Sequence, residues 1–114
     1  MTLRDRLRTA LPAAMKAGDR AAVSALRATL AAIDNAEAVA PADGGRGLAI
    51  EEAPVGAGAT EVARRVLTED DVARIVRAEA DEREQAAADY RALGRAEHAQ
   101  RLEAEAATLR GHLA

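Results

Sequence analysis

Cysteine, tryptophan and phenylalanine are absent from this chain, and the one aromatic residue is Tyr90. Without cysteine there can be no disulfide, thiolate nucleophile or thiolate metal site. A single aromatic argues against a β-sandwich core and against a ligand site built on stacking. Lysine is nearly missing as well, with Lys16 alone against 15 arginines. No apolar run approaches the roughly 20 residues that span a bilayer, and no signal-peptide core is legible. The expectation is therefore a cytoplasmic protein without a membrane partner.

What the chain has instead is alanine. With 114 residues it is one domain's worth, enough for a single modest core. Alanine supplies 32 of its 56 hydrophobic residues, so helices must approach closely along Ala-lined seams.

The apolar residues recur at helical spacing. Leu3, Leu7, Leu11 and Met15 make one stripe, with Arg4, Arg6 and Arg8 off it. Pro12 falls inside this pattern and predicts a kink or a boundary near Leu11. Gly18 and Asp19 supply a stop and an N-cap for a second helix carrying Val23, Leu26, Leu30 and Ile33. Residues 38–60 hold two of the three prolines and five of the eight glycines, which predicts a flexible linker. Thr68 and Asp71 then read as a capping box, with Glu69 and Asp70 adding charge that suits the helix dipole. The seam beyond runs through Val72, Ile75, Val76, Ala86, Tyr90 and Leu93, with Glu79 and Arg83 spaced to pair. Gly94 closes that helix, and His98, Leu102, Leu109 and Leu113 mark a last one. The expected fold is all-α: an N-terminal hairpin over 1–37, the linker, and a C-terminal hairpin over 61–114, packed as a small four-helix unit.

Catalytic chemistry is hard to find. Ser24 lies mid-helix with no histidine or lysine at helical reach to activate it, and Lys16 has no serine-lysine motif around it. The stretch Asp43 to Gly47 is glycine-rich but lacks the phosphate-loop pattern. His98, Glu105 and His112 are seven residues apart in turn, about 10 Å along a helix, too far to share one ion easily. A partly buried seam histidine and a frayed terminal one are the plainer expectation. The acidic group Glu79, Asp81, Glu82 and Glu84 is interleaved with Arg74, Arg77 and Arg83, so it reads as an ion-paired helix face. No catalytic residue, metal ligand or cofactor is assigned.

Charge is unevenly distributed. Residues 1–36 hold six cations (Arg4, Arg6, Arg8, Lys16, Arg20 and Arg27) against Asp5, Asp19 and Asp34, while the whole chain is at −3. That asymmetry would let the N-terminal hairpin approach phosphate. A contact through Arg4, Arg6 and Arg8 should cost little stability when removed, since all three lie off the leucine stripe.

Two segments resemble a known family. Leu67 to Leu109 (LTEDDVARIVRAEADEREQAAADYRALGRAEHAQRLEAEAATL) and Leu26 to Glu37 (LRATLAAIDNAE) are similar to the helical part of the GatB/YqeY domain. The matching positions are Arg27, Ile33, Asn35, Glu37, Leu67, Thr68, Val72, Arg83, Tyr90, Gly94, Arg95 and Leu109. In that family the domain is a tail on the B subunit of the tRNA-dependent amidotransferase, which converts misacylated Glu-tRNA or Asp-tRNA to the amide, and it helps engage the tRNA. The class label that goes with the resemblance is carbon-nitrogen ligase with glutamine as amido-nitrogen donor. Tyr90 stands where the family often has phenylalanine. Family members usually continue with a "YLP" turn and a further helical region, whereas the match here ends near Gly111, which suggests a short stand-alone form.

Three functional expectations follow. The first is an accessory module of tRNA-dependent amidation or another tRNA-handling complex, without intrinsic catalysis. The second is a helical protein-interaction module that does not bind RNA, and the third is an enzyme. DNA is not an expected partner. Arg83 and Asn35, polar residues on or beside apolar seams, are expected to join the two hairpins.

Overall fold

The structure is a computed structural model and describes residues 1–39 and 66–114. Four helices and no strand occur among the described residues: α1 (Leu3–Ala17), α2 (Arg20–Val39), α3 (Glu69–Ala92) and α4 (Ala96–Leu113). They pair as two hairpins that pack on each other, the expected all-α four-helix arrangement. The expected linker, Asp43 to Gly47 included, lies outside the described residues except for Ala38 and Val39, which extend α2 by half a turn.

Local signals set the helix ends. The Thr2 side chain accepts from the Asp5 N–H while the Asp5 carboxylate accepts from the Thr2 N–H, a reciprocal cap that also occurs at Thr68 and Asp71. The Asp19 carboxylate accepts from the Ala22 N–H at the start of α2. Both tight connections end in left-handed glycines, Gly18 at φ 73° and Gly94 at φ 78°. At the second, the Gly94 N–H donates to the Arg91 carbonyl and the Arg95 N–H to the Tyr90 carbonyl, the paired bonds of a Schellman turn. Arg95 then opens α4 through its backbone, its carbonyl accepting from Ala99. The Gly94-Arg95 corner is thus explained by backbone geometry.

Pro12 does not end α1, contrary to one of the two expectations for it. The helix continues to Ala17. Pro12 and Arg8 are both exposed, so water can replace the donor that proline lacks.

The core contains Leu3 and Leu7 from α1, Ala22, Ala25, Leu26 and Ile33 from α2, Val72, Val76 and Ala80 from α3, and Ala106 and Leu109 from α4. Eleven buried residues with four alanines among them fit the expectation of close helix approach. The α3 seam is displaced from the expected one. Ala80 and Ala87 are buried, Ala86 and Tyr90 are half-buried, and Leu93 is exposed. Residues 72, 76, 80 and 87 follow one helical stripe, half of it alanine, whose small side chains carry a weak apolar signal in the sequence.

Candidate functional site

Arginine placement decides what the surface can do, because half of the guanidinium groups among the described residues are already paired with carboxylates. Arg83 is the most enclosed of them. Its Nε donates to Glu105 at 2.8 Å, and its Nη1 donates to the Glu79 carboxylate at 2.9 Å and the Glu79 carbonyl at 3.0 Å. Burial opposes its charge, yet the hydrogen bonds to Glu105 and Glu79 outweigh that and raise its pKa. The Glu79 pairing follows the expected spacing. Glu105 is buried on α4, 22 positions from Arg83, so no local spacing in the sequence pairs the two.

Arg83 therefore ties α3 to α4 within one hairpin and does not join the two hairpins, as had been expected. Asn35 is exposed on α2 and makes no hydrogen bond to the second hairpin among the described residues. Other groups connect the hairpins: the Leu3 N–H donates to Glu69 at 3.0 Å, and the Arg6 Nη2 donates to the His112 carbonyl at 3.2 Å. These are backbone contacts, which side-chain patterning does not announce.

The outer faces of the second hairpin are laced by further pairs. Arg91 forks onto Glu103, and Arg110 onto Glu84 and also Asp81. The hydrogen bond from Arg110 lowers the Glu84 pKa, and that from Arg91 lowers the Glu103 pKa. Asp81 and Glu84 are ion-paired, as the acidic face was expected to be, but through Arg110 of α4. His98 is exposed, its ring stacked on Tyr90 with centroids 3.9 Å apart. His112 lies within α4 and is half-buried. Neither histidine has the environment expected of it. Among the described residues no group of three metal-capable side chains comes together.

The six N-terminal cations separate into different roles. Arg4 donates to both oxygens of Glu37 and to Asp34, and the side chain is only 17% exposed. These hydrogen bonds hold its pKa above the usual guanidinium value. Arg6 is bound to the Met1 and His112 carbonyls. Two of the three arginines expected to be free for phosphate are thus held by the fold. Arg8 shares a concavity with Arg4, Asp34, Asn35 and Glu37, a mixed surface where carboxylates offset the positive charge.

The other end of the hairpin is different. An open groove of about 670 Å³ runs over the end of α1 and the first half of α2, with α4 at its edge. Arg20, Arg27 and Arg101 rim it, and Met15, Val23 and Ser24 lie between them. Arg27 contacts the Met15 sulfur at 3.9 Å, while Arg20 and neighbouring Lys16 have no partner among the described residues. Arg101 reaches Glu105 only at 3.8 Å and is 59% exposed. The groove lining contains no carboxylate and no imidazole, so Ser24 has no base beside it. Arg101 was missed in the sequence because it belongs to the acidic C-terminal half.

The positions that carry the family resemblance lie mostly in the frame of the fold. Ile33, Val72 and Leu109 are in the core, Thr68 caps α3, Arg83 bridges α3 and α4, and Tyr90, Gly94 and Arg95 form the hairpin corner. Arg27 alone among them reaches the groove. Comparison of the chain with protein-family models, curated proteins and solved structures gave no match.

Proposed function

We propose that the chain is an accessory module of a tRNA-handling assembly, of the kind appended to the B subunit of the tRNA-dependent amidotransferase, and is not catalytic by itself. The observation that carries this is the cation cluster at the α1–α2 corner. Lys16, Arg20 and Arg27 have no carboxylate partner among the described residues, and Arg101 stands across the groove from them. Unpaired guanidinium groups on an open surface suit phosphate. The ligase class label belongs to the assembly on this reading, the module contributing contact only.

Filter binding of tRNA across a salt series tests it. Neutralising two to four phosphates gives a log-log slope of roughly −2 to −4 and an affinity no tighter than about micromolar near physiological salt. Triple substitution of Lys16, Arg20 and Arg27 by glutamine abolishes retention, while Arg74→Gln does not. Failure of the wild type to retain tRNA even at low salt would leave the second reading, a helical protein-interaction module without RNA binding. One observation favours that alternative: the groove between the cations is apolar, with Met15 51% exposed, and no aromatic platform lies in it.

A further inference from the structure

We infer that the groove between α1 and α2 is a docking site for an acidic amphipathic helix of a partner protein. The inference concerns the groove itself and holds under either functional reading above. Arg20 and Arg27 are seven residues apart on α2, two helical turns, which separates their Cα atoms by about 10 Å along one face. A second helix lying nearly along α2 presents residues i and i+7 at the same spacing. Carboxylates at those two positions meet the two guanidinium groups, and apolar residues at i+3 and i+4 fall on Met15 and Val23.

Charge complementarity selects the occupant. The groove offers three guanidinium groups and no carboxylate, in a chain whose net charge is −3, so its sign stands out locally against the whole. Arg101 can turn to a ligand at small cost, because a half-exposed ion pair at 3.8 Å contributes little. The apolar strip between the cations suits the apolar face of an amphipathic helix, whereas phosphate contacts engage the cations alone and leave the strip uncovered. On the tRNA reading, helix and phosphate compete for Arg20 and Arg27.

The test is fluorescence anisotropy of a labelled helical peptide of about 20 residues, with glutamate at i and i+7 and leucine at i+3 and i+4, titrated with the full chain. The comparisons are a scrambled peptide of the same composition and labelled poly(U). The patterned peptide binds, the scrambled one binds about tenfold more weakly or worse, and Arg20→Gln with Arg27→Gln reduces patterned-peptide binding at least as much. Met15→Gln, at an exposed position, also weakens it, while Arg74→Gln leaves it unchanged. Equal binding of the two peptides overturns the inference, since charge alone would then suffice. So does retention of poly(U) without the peptide, or indifference to the two arginines. No RNA enters the peptide titrations, so failure of the tRNA reading leaves their outcome untouched.

Discussion

Arg83 and Glu105 face each other across α3 and α4 at 2.8 Å, with Glu79 completing the arrangement from one turn below. The Arg83 side chain is 13% exposed and that of Glu105 is 7%, so neither charge has ready access to water if its partner is lost. Arg83→Met should cost about 2 to 4 kcal/mol, because the buried Glu105 carboxylate then keeps only Arg101 at 3.8 Å, and Glu105→Leu should cost less, because Arg83 retains Glu79. The double variant should cost less than the more damaging single one, because apolar replacement of a whole buried pair is often close to neutral. Chemical denaturation of the four proteins of that cycle measures the difference.

Arg4 and Arg8 sit one turn apart on α1, yet only Arg4 is fixed by the Asp34 and Glu37 carboxylates. Arg4→Gln should lower stability by about 1 kcal/mol, while Arg8→Gln stays within about 0.5 kcal/mol of wild type. Thermal melts of the two variants decide it, and equal melting temperatures would remove the distinction drawn between held and available cations.

The Thr29 hydroxyl is fully buried on α2 and has no hydrogen-bond partner among the described residues. Thr29→Val keeps the shape and removes the unsatisfied group, so it should stabilise by about 1 kcal/mol. Thr29→Ser keeps the hydroxyl, loses a packed methyl, and should destabilise.

Gly94 at φ 78° has nothing within 4 Å of where a Cβ would be, so its substitution by alanine meets only backbone strain. Gly94→Ala should cost about 1 kcal/mol, as should loss of the cap in Thr68→Ala. Denaturant midpoints with unchanged slopes would identify both as simple stability losses.

Acid should loosen the second hairpin. The Arg110 hydrogen bond depresses the Glu84 pKa and the Arg91 hydrogen bond depresses that of Glu103, so the folded state binds protons less readily there than the unfolded chain does. The stabilisation is complete above the ordinary glutamate value of about 4.3 and is lost as pH falls through the lower folded values. Melting temperature should therefore drop below about pH 4.5, and more shallowly in an Arg110→Gln, Arg91→Gln double variant.

Much of the fold was legible because its signals are local. The Gly18 stop, the Asp19 cap, the Thr68-Asp71 box and the Glu79-Arg83 spacing each act within a few residues, and each is found in place. The α3 stripe was misplaced where alanine carries it, since Ala80 and Ala87 pack by being small and a search for large apolar side chains passes them by. The surface was less legible. Arg4 looked as free as Arg20 in the sequence, because its partners Asp34 and Glu37 come from another helix. Arg101 joins the groove only through the packing of α4 on α2, a juxtaposition that no linear charge count contains.

In the proposed assembly, tRNA meets the chain at the α1–α2 corner. Backbone amide chemical-shift mapping by NMR during a tRNA titration at low salt tests it most directly. Perturbations should concentrate at the C-terminal end of α1, the first half of α2 and the neighbourhood of Arg101, fading as salt is raised. Shifts centred on Asp34 to Glu37 or on the paired face of α3, or no shifts at all, would contradict it.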